Sequence, residues 1–320
     1  MAKKLQDTMT PEQIAEHYYS KLSPKIILPS EAKEFKEWIV EQKNVGYNFD
    51  YFMYGRLFLI QKLKLQKKND YLIIVIGREG IGKSTLCSQL CAAIDHNFSL
   101  DKICVEPREV IHSFRICQPG SAIQVDEGAL ALFSREAMTL GSRNMVKILM
   151  TIRAKSFFIV IACPSYKDLD RYLREHRVAM LIDIRQRGEY IAFFDDAIRI
   201  INENLPNKKR ISAITVPNGT FWQGSFRKDF PKTIDYSQYE AKKLIHIDSF
   251  LDSIEKDLDE EDSFKMIPAV DLAKQLHILP ERMREFIKNK TINAVKVDRS
   301  WFIPKKEVDK LLQGGCARHP

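Results

Sequence analysis

Between residues 70 and 200 the apolar positions gather into short runs bounded by turn signals: "YLIIVI", "KICV", "SAIQVDE", "FFIVIAC", "AMLIDI" and "YIAFFD". Runs this short, with many β-branched residues and no polar alternation, predict strands buried on both faces. The stretches between them, "STLCSQLCAAI", "REVIHSFR", "NMVKILMTIRAK" and "LDRYLREHR", repeat apolar residues every three or four positions and predict helices. The alternation predicts an α/β domain, a mainly parallel sheet flanked by helices. Arg187 and Gly188, between the last two runs, predict an antiparallel hairpin at the end of that domain.

The flanks read differently. Residues 1–69 predict a helical N-terminal extension, with Ser30 as the N-cap of "SEAKEFKEWIVEQK" and a second apolar face in "FDYFMYGRLFLIQKLKLQKK". Residues 201–263 predict a hairpin in "PNGTFWQGSF", a helix in "YSQYEAKKLIHI" and an acidic linker in "SIEKDLDEED". Residues 264–313 predict a small basic module, and 314–320 a loose tail.

Composition narrows the class. Hydrophobic residues at 45% and charged residues at 29% of 320 are those of a folded chain. No apolar run approaches the roughly 20 residues that cross a bilayer, and "MAKKLQDTMTPEQ" lacks the apolar core of a secretory signal. The expected location is therefore the cytoplasm. Six scattered cysteines form no zinc or disulfide framework and read as reduced core residues. A net charge of +8 favours an anionic partner, nucleic acid first.

The candidate chemistry starts in "IVIGREGIGKST". Gly77, Arg78, Glu79, Gly80, Ile81, Gly82, Lys83 and Ser84 fit G-x-x-x-x-G-K-[ST], with Thr85 following. The glycines let successive N–H groups converge on phosphate, Lys83 adds a point charge, and Ser84 offers an oxygen to magnesium. The strand before and the helix after complete a P-loop NTPase reading, with ATP and Mg2+ as the implied ligands. In "SAIQVDEG", 43 positions after the lysine, Asp126 ends a strand as the metal-side carboxylate. Glu127 follows it as the residue that polarises a water against the γ-phosphate. Ser165, ending "FFIVIACPS", is either a sensor near the nucleotide or a helix cap. Arg143, Arg153, Arg174 and Arg177 are candidates for a charge donated to a neighbouring subunit's nucleotide.

With these motifs in place, residues 70–200 resemble the additional-strand, catalytic-glutamate branch of P-loop ATPases. The likeness is greatest to FtsK/HerA-like, zonular-occludens-toxin-like and terminase-like proteins of phages, plasmids and other mobile elements. That resemblance implies ATP hydrolysis by Lys83, Ser84, Asp126 and Glu127, and a homo-oligomer that forms a ring.

From Phe264 onward twelve Lys or Arg face six Asp or Glu. "MIPAVDLAKQLHILPERMREFIKNKTINAVKVDRSWFIPKKEVDKLL" resembles the winged helix-turn-helix domain of excisionase-like and MerR-like DNA-binding proteins. Pro280 opens the second helix, a turn at Asp298, Arg299 and Ser300 makes the wing, and Trp301 with Phe302 anchors it. Leu279 stands where a capping serine or threonine is usual, and Asn289 supplies the left-handed cap often given by glycine. The resemblance implies contacts to double-stranded DNA from Arg282, Arg284, Lys288, Lys296 and Arg299.

Together these readings imply an ATPase that works on DNA by packaging, translocation or segregation. An ATP-gated DNA-binding regulator is the alternative. A small-molecule phosphotransferase fits less well, because a water-polarising glutamate and a DNA-binding module have no use there.

Overall fold

The computed structural model describes residues 9–22, 26–45, 49–67, 70–126, 148, 152–207, 211–263, 265–297, 300–305 and 307–308. Its contacts divide the chain into two units, Met1–Lys243 and Leu244–Pro320.

The first unit is built on seven strands: β1 (Tyr71–Gly77), β2 (Ile103–Cys104), β3 (Ala122–Val125), β4 (Phe158–Cys163), β5 (Val178–Gln186), β6 (Glu189–Phe193) and β7 (Phe221–Ser225). They lie in the order β2-β3-β4-β1-β5-β6-β7. Pairings from β2 to β5 are parallel, and β6 and β7 join antiparallel. The turn at Arg187 and Gly188 forms as expected, Gly188 taking φ +91°. The segment expected as a hairpin behaves otherwise. Thr220 N–H closes a turn onto the Pro217 carbonyl at 3.3 Å, and "FWQGS" then forms β7 alone, laid along β6. A strand needs an edge to pair with, and the available edge was β6.

The first described helices are α1 (Pro11–Leu22), α2 (Ala32–Val45) and α3 (Tyr51–Lys67). Ser30 is not the N-cap of α2. It lies inside a 3-10 turn, Pro29–Glu31, whose entry is held by Leu28 N–H donating to the Glu31 carboxylate at 3.0 Å. Pro29 pre-sets that turn, so the proline fixes where the helical segment begins.

Among the described residues the sheet is also covered by α4 (Lys83–Ile94), α5 (Pro107–Ile116), α6 (Arg171–His176) and α7 (Asp195–Asn204). The period-two geometry of β1 splits its side chains between two cores. Ile73 and Val75 join α1–α4 on one face, while Leu72, Ile74 and Ile76 join α5, α6 and α7 on the other. The helices α1–α3 share a core with the sheet and fall within the first unit. Residues 201–243 also belong to it through β7.

The expected helix and acidic linker are one 28-residue helix, α8 (Tyr236–Ser263), which runs across the division between the units. Its later turns expose Leu244, Ile247, Leu251 and Ile254. The second unit continues with β8 (Met266–Pro268), α9 (Ala269–Gln275), α10 (Pro280–Lys288), β9 (Val295–Val297) and β10 (Ser300–Pro304). Its three strands form an antiparallel sheet in the order β8-β10-β9. Leu272, Met283, Ile287, Ile292 and Ile303 make its core.

Pro280 opens α10 after an uncapped Leu279, as expected. The left-handed residue after the helix is Lys290 (φ +56°), whereas Asn289 stays at φ −81°. Trp301 packs partly against the core, and Ile303, not Phe302, is the fully buried residue of β10. Asp298 and Arg299, the expected wing turn, lie outside the described residues.

Candidate nucleotide site

The loop between β1 and α4 takes backbone conformations that its sequence anticipates. Gly82, the N-cap of α4, has φ +106°, a region L-residues avoid. A Cβ at Gly77 would stand 3.0 Å from both the Ile184 carbonyl and the Ile81 side chain. No side chain caps α4, so its first N–H groups and the positive end of its dipole face the loop. Arg78, Glu79 and Gly80 form the exposed tip, and Ile81 packs back against the core. Lys83 is buried at the start of the helix and donates from Nζ to the carbonyls of Gly77 and Arg78, both at 2.9 Å. Those bonds tie the ammonium to the backbone of the loop. Ser84 and Thr85 follow, both half-buried.

The decisive contact crosses from α4 to β3. Asp126, just beyond Val125, is completely buried, and its N–H donates to the Cys104 carbonyl of β2 at 2.8 Å. Its Oδ1 accepts from Ser84 Oγ at 2.9 Å. One turn along α4, Ser88 Oγ donates to Gln124 Oε1 at 2.7 Å and fixes the helix against the same strand. A hydroxyl and a carboxylate side by side are hard oxygen donors, and they fit Mg2+. Among the described residues no cluster of three His, Cys, Asp or Glu side chains competes for that role.

No family model and no curated protein matches the chain. It is similar to the solved N-terminal domain of zonular occludens toxin from Neisseria meningitidis, with 18% identity over 54% of this chain and 98% of that one, at a TM-score of 0.31. It is also similar to a RuvB variant from Thermotoga maritima, with 14% identity over 80% of this chain and 92% of that one, at a TM-score of 0.30. The chemistry is therefore read from the site itself.

The other expected residues divide. Ser165 lies at the carboxyl end of β4, which neighbours both β1 and β3, and lines a cavity of about 490 Å3 with Gly77, Arg78, Lys167 and Asp183. Its Oγ accepts from Lys167 N–H at 3.3 Å, so it caps the 3-10 turn Tyr166–Asp168 as well. Burial raises the Asp183 carboxyl above its ordinary range, and the neighbouring Arg185 pulls it back down. Arg174 is not available to a neighbouring subunit: it is buried, donates from Nε to the Leu169 carbonyl at 3.1 Å and lies 5.8 Å from the Tyr166 ring. Arg177 is likewise committed, paired with Asp70 in a mostly buried bridge. Desolvating an arginine demands partners within the fold, and both have them. Glu127 and Arg143 lie outside the described residues, as does the side chain of Arg153, whose backbone forms the 3-10 turn Ile152–Lys155.

Two residues that sequence reading missed complete the site. Tyr239 on α8 donates its hydroxyl to Asp126 Oδ2, and Lys243, one turn later, places Nζ 3.3 Å from the same oxygen. Burial and then the Asp126 charge hold the Tyr239 phenol well above its ordinary range, which keeps it a donor. Their four-residue spacing puts them on one helix face, but nothing local ties that face to a strand 113 positions earlier.

In the second unit Arg282, Arg284 and Lys288 on α10 and Lys296 on β9 are all exposed. Arg282 lies 5.9 Å from the Phe286 ring and Lys296 5.8 Å from the Trp301 ring. Glu281 and Glu285 are exposed on α10 as well, so its solvent face carries both signs of charge.

Proposed function

We propose that the chain is an Mg2+-dependent ATPase that couples hydrolysis to work on DNA as a homo-oligomer. The observation that carries the reading is the Ser84–Asp126 contact at the mouth of the glycine-rich loop. The insertion of β4 between the loop strand β1 and the Asp126 strand β3 supports the additional-strand class.

In this reading the amides of residues 77–84 and the Lys83 ammonium bind the phosphates, and Ser84 and Asp126 hold the metal. Magnesium, when bound, neutralises charge on the phosphate oxygens. Glu127, next to Asp126, orients and polarises the attacking water. Ser165 senses the nucleotide from β4, and Arg143 and Arg153 remain the candidates to act in trans. The helix pair α9 and α10 with the β9-β10 ribbon is read as a winged helix-turn-helix, with Arg282, Arg284, Lys288, Lys296 and Arg299 on phosphate and base edges. No described helix is long and apolar enough to cross a membrane.

The test is ATP turnover with and without long duplex DNA. Turnover should rise several-fold with DNA, and Glu127→Gln should abolish it while nucleotide binding persists. Replacing Arg284 and Lys288 by Glu should weaken DNA binding and reduce the slope of log affinity against log salt by about 2, roughly one per lost phosphate contact. Slow turnover that ignores DNA would favour the ATP-gated regulator, and an intact rate in Glu127→Gln would refute the catalytic assignment.

A further inference from the structure

The first two turns of α8 are fastened across the metal edge of the sheet. Tyr239 is 2% exposed, its ring 4.8 Å from that of Phe230, and its hydroxyl reaches Asp126. Lys242 Nζ donates to the Ile103 carbonyl of β2 at 2.6 Å and pairs with Glu109 of α5 at 2.8 Å. Upstream, Gln89 of α4 donates to the carbonyls of Arg227 and Asp229, at 2.9 and 2.5 Å, and seats the segment that leads into α8. Lys243 is held differently: its side chain is 36% exposed, and its ammonium lies between Asp126 Oδ2 and the Tyr239 ring, 5.3 Å from the ring centroid.

We propose that Tyr239 and Lys243 are positioning residues of the metal–nucleotide site. Tyr239 orients the Asp126 carboxylate, and Lys243 holds a positive charge on it that an incoming divalent cation must displace. The inference rests on the nucleotide reading of the site. Its physical basis is the crowding of charge on one buried carboxylate. Asp126 is completely buried, so its charge needs a compensating partner. A divalent cation at Ser84 and Asp126 and an ammonium on Oδ2 repel at short range. Tyr239 is neutral, buried and compatible with a bound cation, so it stays. Lys243 is charged, half-exposed and on a flexible stem, so it leaves. Loading of the site thus loosens the hold of α8 at the point where the helix passes from the first unit into the second. Lys242, on its separate partners, limits that release to the Lys243 turn.

The experiment titrates Mg2+ into the full chain with a slowly hydrolysed fluorescent ATP analogue and reads the Mg2+ concentration for half-maximal binding. Lys243→Met should lower that concentration about fivefold, the scale of one half-exposed ion pair. Lys243→Arg should restore the wild-type value, and Tyr239→Phe should raise it, because the carboxylate loses its fixed donor. Hydrogen exchange adds a readout independent of turnover: amides of residues 243–247 should exchange faster once Mg2+ and the analogue are added. In Lys243→Met they should already exchange faster without them. Lys243→Gln serves as a second neutral variant should the methionine variant fold poorly. An unchanged or higher Mg2+ requirement in both neutral variants, or exchange that ignores the ligands, overturns the proposal while leaving the nucleotide reading intact. A wild-type chain that binds no analogue at any Mg2+ concentration overturns the nucleotide reading itself.

Discussion

Tyr190→Phe removes one oxygen atom and tests how the N-terminal helices are coupled to the sheet. The Asp50 side chain is half-buried. It caps α3 by accepting from the N–H groups of Phe52 and Met53 at 3.0 and 3.1 Å, accepts from Trp222 Nε1 at 3.0 Å, and accepts from the Tyr190 hydroxyl. Burial pushes this carboxyl above its ordinary range, and Tyr190 is the largest of the opposing contributions. A Cβ on Gly224 would lie 2.2 Å from Asp50 Oδ2, so the carboxylate packs directly against the backbone of β7. A hydrogen bond to a charged group contributes about 1.5–3 kcal/mol, so the variant should lose about 2 kcal/mol. For a unit of this size that corresponds to a fall of about 4–8 °C in the melting temperature. Calorimetry on the full chain measures it. A shift of less than about 1 °C would mean that the joint contributes nothing and that Asp50 serves only as a helix cap. The joint also bears on the nucleotide site: Phe49 bridges to Phe226, whose ring lies 3.6 Å from where a Cβ on Gly82 would stand.

Two further outcomes are expected. Gly82→Ala places a Cβ on a residue at φ +106°, which costs about 1–3 kcal/mol where the loop must keep its shape. Nucleotide affinity measured by fluorescence titration should fall about tenfold or more, and wild-type affinity would refute the cradle geometry. Lys43 is pushed down to about 8 by burial and then by the Arg227 charge, with Asp50 opposing and the Tyr18 and Tyr54 rings 5.4 and 5.0 Å from its ammonium. A folded value below the unfolded one means that this contribution to stability is complete above about 10.5 and is lost as the pH falls through about 8. Lys43→Met should therefore flatten the stability profile between those values in denaturant titrations, and an unaltered profile would refute the assignment.

Much of the site was legible because its chemistry is local. Gly77, Gly82, Lys83 and Ser84 lie within eight positions, and each answers to a conformational or electrostatic need that a short peptide already has. Asp126 was legible for a similar reason, since a carboxylate ending a mainly apolar run is expected at the carboxyl edge of a buried strand. The arginines show the limit. Arg174 and Arg177 look in sequence like any exposed cation, and only the packing of Tyr166, Leu169 and Asp70 around them reveals that their charge is used inside the fold.

The sequence by itself determined the parallel sheet, the glycine-rich loop and the helix pair of the second unit, because strand burial, glycine dihedrals and proline starts are decided within a few residues. Tertiary structure alone decided that "FWQGS" pairs with β6, that the N-terminal helices share the core of the sheet, and that Tyr239 and Lys243 meet Asp126. The physical reason is that edge pairing, face-to-face burial and compensation of a buried charge are satisfied by whichever group arrives in space. Separation along the chain, 113 positions for Tyr239 and Asp126, leaves no trace of that arrival in either neighbourhood.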